Sequence, residues 1–132
     1  GARALRDSYA DIQAMAGVTV TTDLAAPADA LDDGQRTVVL RVVQEALQNV
    51  RKHAQASVVM VVTRLADDDW TVEIRDDGRG FDVGASAARG RRNFGLQFMR
   101  ERAELIGARF DVRSEPNGGT VVRLAIPRGA RT

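Results

Sequence analysis

Apolar residues recur along the chain in two periods, and the switches between them divide it into elements. Residues 35 to 54 place Val39, Val43, Ala46, Leu47 and Val50 on one side of a helix, the three-and-four spacing of a stripe that faces a core. Elsewhere the pattern changes to alternation or short apolar runs rich in Val, Ile and Thr, which predicts strands. These are "VTVTTDL" at 18–24, "SVVMVVTRL" at 57–65, "WTVEIRD" at 70–76, "RFDVRSE" at 109–115 and "TVVRLAIP" at 120–127. The acidic turn "ADDD" joins the second and third as a hairpin, and "PNGG" joins the last two. A second helix is predicted to open near Gly95, with Leu96, Met99, Ala103 and Ile106 facing inward and Gly107 as its stop. Residues 2 to about 16 form a further helical pattern that ends at Gly17. "AAPADALDDG" at 25–34 reads as a loop, and the aperiodic, basic "DVGASAARGRRNF" at 82–94 as a mobile loop. The order predicts an α+β fold: a mixed sheet with helices on one face, a two-layer α/β sandwich.

At 132 residues the chain is sized for one domain spanning 1–132, and 44% hydrophobic residues suffice for a core. Nineteen Lys+Arg against 18 Asp+Glu leave a net charge of +1, which argues against a dedicated nucleic-acid binder. The absence of cysteine removes disulfides, thiolate metal sites and cysteine nucleophiles, and it suits a reducing, cytoplasmic compartment. The longest apolar run, "VVMVV" at 58–62, is far short of a membrane span. No signal-peptide pattern opens the chain, and its start inside a helical pattern suggests a fragment of a longer protein.

Four segments carry candidate chemistry. In "VVQEALQNVRKHA", Glu45 and Asn49 lie one turn apart, with Lys52 close by and His53 at the edge. Such a face could hold a hydrated Mg²⁺ and a phosphate chain, since Mg²⁺ takes hard oxygen ligands and keeps several waters. Any solvated helix face shows a similar mixture. In "DDGRGF", Gly78 and Gly80 permit close approach to the backbone, and a carboxylate at the strand end can accept from an exocyclic amine. An ordinary turn has the same letters. Gly95 precedes a helix whose free N–H groups favour anions, and Arg89, Arg91 and Arg92 add charge nearby. Gly118 and Gly119 turn the chain into a strand that begins at Thr120.

Each segment alone is weak, but their order is specific. A polar-edged helix, a strand ending in D-x-G-x-G, a glycine opening a helix, and G-G-T entering a last strand resemble the nucleotide-binding domain shared by sensor histidine kinases, gyrase-type topoisomerases, the MutL mismatch-repair proteins and ATPase chaperones. "VVQEALQNVRKHAQAS" is similar to the asparagine box of the histidine kinases that include the nitrate sensors and the degradation and cell-envelope regulators. "NFGLQFMRERAELIG" resembles the "GL..MRERA" helix of the same group.

The resemblance, from about residue 30 to 127, implies the Bergerat-type ATP-binding fold with ATP and Mg²⁺ as cofactors. It implies that Asn49 ligates Mg²⁺, that Glu45 helps hold the metal or its waters, and that these two carry the catalytic role. A general-base role for Glu45, as in relatives that attack with water, does not transfer to a kinase whose acceptor is a histidine. Lys52 and His53 match positions near the phosphates. Asp76 matches the carboxylate that accepts from the adenine amino group, whereas Asp77 is expected only to form the turn. Gly78 and Gly80 match the glycines that make room for the base. Gly95 and Leu96 match the end of the ATP lid, and Thr120 a residue near the adenine and its water. Asn93 departs from the second glycine common two positions before Gly95, as it does in the nitrate-sensor-like members.

His53 is the only histidine and sits within the asparagine box, so it is not the expected phosphoryl acceptor. The resemblance therefore implies a domain that binds ATP·Mg²⁺ but does not autophosphorylate alone. It would donate the γ-phosphoryl group to a histidine on a separate dimerisation domain of a two-component sensor kinase, which then serves a response regulator. The isolated domain is expected to be monomeric. An anti-sigma-factor-type serine kinase with the same ATP site, or a degenerate interaction domain without nucleotide, are the alternatives.

Overall fold

The structure, a computed structural model, describes residues 19–54, 56–80 and 95–128. The expected helix over 2–16 and the loop over 82–94, with Arg89, Arg91, Arg92 and Asn93, lie outside the described residues.

Five strands form one sheet: β1 (Thr19–Leu24), β2 (Val58–Ala66), β3 (Asp69–Asp76), β4 (Arg109–Ser114) and β5 (Thr120–Pro127). Their spatial order is β1-β2-β3-β5-β4. β1 runs parallel to β2, and every other pair is antiparallel, so the sheet is mixed as expected. α1 (Asp33–Asn49) crosses from β1 to β2, and α2 (Leu96–Leu105) precedes β4.

α1 begins two residues earlier than its apolar stripe suggests. Asp32 caps it: Gln35 N–H donates to Asp32 Oδ1 at 2.8 Å, and Gln35 Oε1 accepts from Asp32 N–H at 2.9 Å. This reciprocal capping box satisfies two donors that would otherwise be orphaned at the helix start. At the other end the α-helix stops at Asn49, and residues Val50–Ala54 continue as a π-helical turn. The longer ring of a π turn changes the direction of the side chains after Asn49 relative to a continued α-helix.

All five residues of the predicted α1 stripe are buried, together with Val38 and Val42. They pack on Val59, Val61, Trp70, Val72, Ile74, Val122, Leu124 and Ile126, one face of the sheet. Met99 and Ala103 of α2 complete this core, with Leu96 and Ile106 partly buried at its rim. Full burial of a Leu or Val side chain contributes about 1.5–3 kcal/mol, so this single face carries most of the driving force. The loop before α1 is tied to the sheet at two points. Thr63 Oγ1 donates to Ala26 O at 2.8 Å, and Trp70 Nε1–H donates to Pro27 O at 3.1 Å.

The opposite face carries paired charges. Arg75 and Arg123 share Glu73, and Arg113 faces Asp111 at 3.5 Å. Among the described residues both helices lie on the other side, which gives the two-layer α+β sandwich expected from the sequence. The β2–β3 turn is tighter than "ADDD" suggested. Ala66 pairs with Asp69, leaving only Asp67 and Asp68 outside the ladder, with Asp67 at φ 54°.

Candidate functional site

Chain direction brings the four segments to one end of the sheet. α1 runs toward the start of β2, because only residues 55–57 separate its π-helical turn from Val58. The start of β2 pairs with the end of β3, Val59 opposite Asp76. The end of β3 pairs with the start of β5, Asp76 opposite Thr120. α2 begins at this end, since a β-carbon on Gly95 would stand 2.4 Å from Glu45 Oε2.

Along β3, Trp70, Val72, Ile74 and Asp76 share the face that meets the helices. Asp76 is thus the one carboxylate in a row of core residues, at the point where the core ends. Its Oδ1 accepts from Gly78 N–H at 2.8 Å. Burial holds its carboxyl above the ordinary carboxylate value, and the neighbouring charge of Asp77 adds to this. The amides of Gly78 and Thr120 act in the opposite sense without overcoming it.

Asp77 points the other way. Its Oδ1 accepts from Ser57 N–H at 2.8 Å and Val58 N–H at 3.0 Å. These two donors, Val58 first, hold its carboxyl below the ordinary value. The expectation that Asp77 merely forms a turn is corrected here: it clamps the end of β3 to the start of β2, under the α1–β2 connection.

Gly80 and Gly119 interlock by backbone. Gly80 has φ 65°, and a β-carbon there would stand 2.0 Å from Glu115 O and 2.9 Å from Gly119 O. Gly119 has φ 76°, and its β-carbon would stand 2.3 Å from Asp76 O. The D-x-G-x-G loop thus lies directly on the β4–β5 turn, and the space left by the missing side chain at Gly80 is taken up by that turn. Asn117 N–H, in the turn, donates to Arg79 O and fastens the contact.

Glu45 and Asn49 are both half-buried on α1, and Lys52 is exposed on the π-helical turn. The side chain of His53 lies outside what the structure describes. Gly95, at φ 69°, is the N-cap of α2, and among the described residues no side chain caps this helix start. Leu96 follows with its side chain against the core rim. Among the described residues no group of three or more His, Cys, Asp or Glu side chains gathers to hold a metal. A cation beside Glu45 and Asn49 would therefore need oxygen ligands from a phosphate chain and water, which suits Mg²⁺.

Ser114 lies beside Thr120 and belongs to none of the four sequence segments. It ends β4 opposite Thr120, and its Oγ lies 2.8 Å from Thr120 Oγ1. The hairpin "SEPNGGT" contains the signal, since the turn length sets Ser114 across from Thr120.

The chain is also similar to known proteins. Residues 34–130 match the family described as "Histidine kinase-, DNA gyrase B-, and HSP90-like ATPase". Over 89 residues, 67% of this chain and 22% of the relative, the chain is 42% identical to the signal transduction histidine-protein kinase/phosphatase DegS of Brevibacillus brevis. Over 124 residues, 94% of this chain and 35% of the relative, it is 36% identical to the oxygen sensor histidine kinase NreB of Staphylococcus carnosus. The chain thus spans about a fifth to a third of the length of these relatives. In three dimensions it resembles the blue-light activated histidine kinase of Erythrobacter litoralis EL346, with a TM-score of 0.76 at 22% identity, over 93% of this chain and 40% of that one. That likeness shows the fold, and the sequence matches show the lineage. The chain belongs to the histidine kinase-, DNA gyrase B- and HSP90-like ATPase family, on the branch of the sensor histidine kinases.

Proposed function

We propose that the chain is the catalytic and ATP-binding domain of a longer two-component sensor kinase. It binds ATP with Mg²⁺ and presents the γ-phosphoryl group to a histidine on a separate dimerisation domain. The observation that carries this reading is the convergence of four segments at one sheet end, with the half-buried Asp76 carboxylate opposite Thr120. Asp76 accepts from the exocyclic amine of adenine. Gly78 and Gly80 shape the loop under the base, and Thr120 borders it. Glu45 and Asn49 hold the cation and its waters, with Lys52 and His53 toward the phosphates. Gly95 and Leu96 open α2, and a helix N-terminus favours phosphate oxygens.

The cation would neutralise charge on the phosphate chain, and this chain's own residues would position it. The residues that would hold the nucleotide come from α1 and from the β3–β5 pair. Glu45 acts through the metal site and not as a base toward water, since the acceptor is a side chain of another domain. Phosphorylated histidine then serves a response regulator. Such a domain works where ATP is supplied, in the cytoplasm, and no helix among the described residues is long and apolar enough to cross a membrane.

Calorimetry with ADP, with and without Mg²⁺, tests the metal assignment. Asn49→Ala should weaken Mg²⁺-dependent binding far more than metal-free binding. Equal losses would remove Asn49 from the metal. The acceptor is tested on the full-length kinase, where acid-labile phosphohistidine is expected and acid-stable phosphoserine on a partner would overturn the reading.

A further inference from the structure

Asp76 and Asp77 are joined by one peptide bond, and their side chains serve opposite sides of the strand end. The Asp77 carboxylate belongs to the α1–β2 connection. Its Oδ1 accepts from Ser57 N–H at 2.8 Å and Val58 N–H at 3.0 Å, and Asp77 N–H donates to Val58 O at 3.3 Å. Ser57 O accepts in turn from Thr19 N–H at 2.9 Å. The downstream end of the connection is thus held from both sides, by β1 and by Asp77.

Its upstream end is held by burial. Val50, the first residue of the π-helical turn, is 3% exposed in the core. Residues 51 to 56 lie between these two fixed points. Single π turns are rare and occur often at functional sites. The wider ring gives Lys52 a different bearing from Glu45 and Asn49 than a continued α-helix would, so the direction of Lys52 depends on how both ends are held. The turn carries two cations of different availability. Arg51 is committed, since its Nε and Nη2 donate to Gln48 Oε1 at 3.0 and 2.8 Å. Lys52 is exposed and makes no ion pair among the described residues, so its charge is open to a ligand.

We propose that Asp77 is a positioning residue for the phosphate half of the nucleotide site: by fastening the end of the π-helical turn, it presents Lys52 to the phosphate chain. Asp77 itself touches no ligand, and its action passes through the backbone of Ser57 and Val58. One peptide unit then links the two halves of the site, with Asp76 on the base and Asp77 behind the turn that meets the phosphates. This inference rests on the proposed nucleotide site and adds what aligns its two ends.

The test compares ADP with adenosine, which share the base and differ by the phosphates. Dissociation constants are measured by NMR titration, with Mg²⁺ throughout, for the wild type, Asp77→Ala, Asp77→Asn, Asp77→Glu, Lys52→Ala, the Asp77→Ala/Lys52→Ala double variant and Asp76→Asn. Asp77→Ala should lower the ADP-over-adenosine affinity ratio roughly fivefold, the upper range for an exposed charge pair, with adenosine affinity little changed. Asp77→Asn keeps an acceptor and should restore the ratio. Lys52→Ala should lower the ratio by a similar factor, and the double variant should lose no more than either single one. A wild-type ratio in Asp77→Ala, an equal loss for both ligands, or additive losses with Lys52→Ala would overturn the inference. Should Asp77→Ala fail to fold, Asp77→Glu, which displaces the acceptor by one methylene, must show the lower ratio in its place, and a wild-type ratio there would overturn the inference. Asp76→Asn should weaken ADP and adenosine alike. If it does so while the Asp77 variants keep the wild-type ratio, the base site stands and only the role of Asp77 falls. A wild type that binds neither ligand would overturn both.

Discussion

The carboxylate of Glu45 lies against the backbone of Gly95, so close that a β-carbon on the glycine would stand 2.4 Å from Oε2 and 2.9 Å from Cγ. This contact joins the C-terminal part of α1 to the start of α2 through two residues fifty positions apart in sequence. Gly95→Ala should act in two ways. The left-handed backbone at φ 69° should cost about 1–2 kcal/mol in any residue with a β-carbon. The new methyl should also turn the Glu45 carboxylate out of its seat. Urea unfolding reads the first effect. A Glu45→Ala, Gly95→Ala double-mutant cycle on Mg²⁺-dependent ADP binding reads the second, and the two losses should be less than additive.

Asp77 should prove structural. Ser57 and Val58 both donate to one of its oxygens. Asp77→Asn keeps an acceptor there, while Asp77→Ala leaves both amides without this partner. The alanine variant should lower the urea midpoint clearly more than the asparagine variant. Similar midpoints would show that the clamp contributes nothing.

The two adjacent aspartates should also give opposite pH dependences. The folded-state pKa of Asp77 is depressed by the two amides, so its contribution is present above the unfolded value and is lost as pH falls through the folded value. The folded-state pKa of Asp76 is raised by burial, so its charge opposes folding above the folded value. That penalty fades as pH falls from the folded to the unfolded value. Asp76→Asn should therefore be more stable than wild type at neutral pH, with the gap closing on acidification. Denaturation series across the acid range check this, and a gap that widens on acidification would contradict it.

Trp70 is the sole tryptophan and is 1% exposed. It packs under α1 and holds Pro27 O through its indole N–H. Trp70→Ala should cost about 3–5 kcal/mol. Trp70→Phe retains most of the volume and loses the hydrogen bond, so it should cost less. Circular dichroism during thermal unfolding separates the two.

Much of the fold is legible in the sequence because burial leaves a period. Val39, Val43, Ala46, Leu47 and Val50 mark α1 by their spacing, and all are buried. Its ends are less legible for physical reasons. Asp32 and Gln35 sit in a stretch with loop composition, yet their mutual capping starts the helix two residues early. The change to a π turn after Asn49 alters hydrogen-bond spacing without altering which residues are apolar. Ala66 and Asp69 have little strand propensity and are paired because the ladder continues through them. At the candidate site, the inward side of Asp76 follows from alternation along β3. The clamp by Asp77 does not, because it depends on Ser57 and Val58, twenty and nineteen positions away, being brought alongside by the register. Ser114 has no motif of its own and acquires its place only from its pairing with Thr120.

In the proposed function Asp76 reads the adenine base. The most direct measurement is ATP affinity of Asp76→Asn against wild type, by calorimetry at neutral pH with Mg²⁺, alongside unfolding curves that show both proteins folded. An amide can present a donor where the base amine needs an acceptor. Asp76→Asn should lose ATP affinity at least roughly tenfold, together with the adenine preference. Unchanged ATP affinity in the folded variant would contradict it and move the base site to another carboxylate.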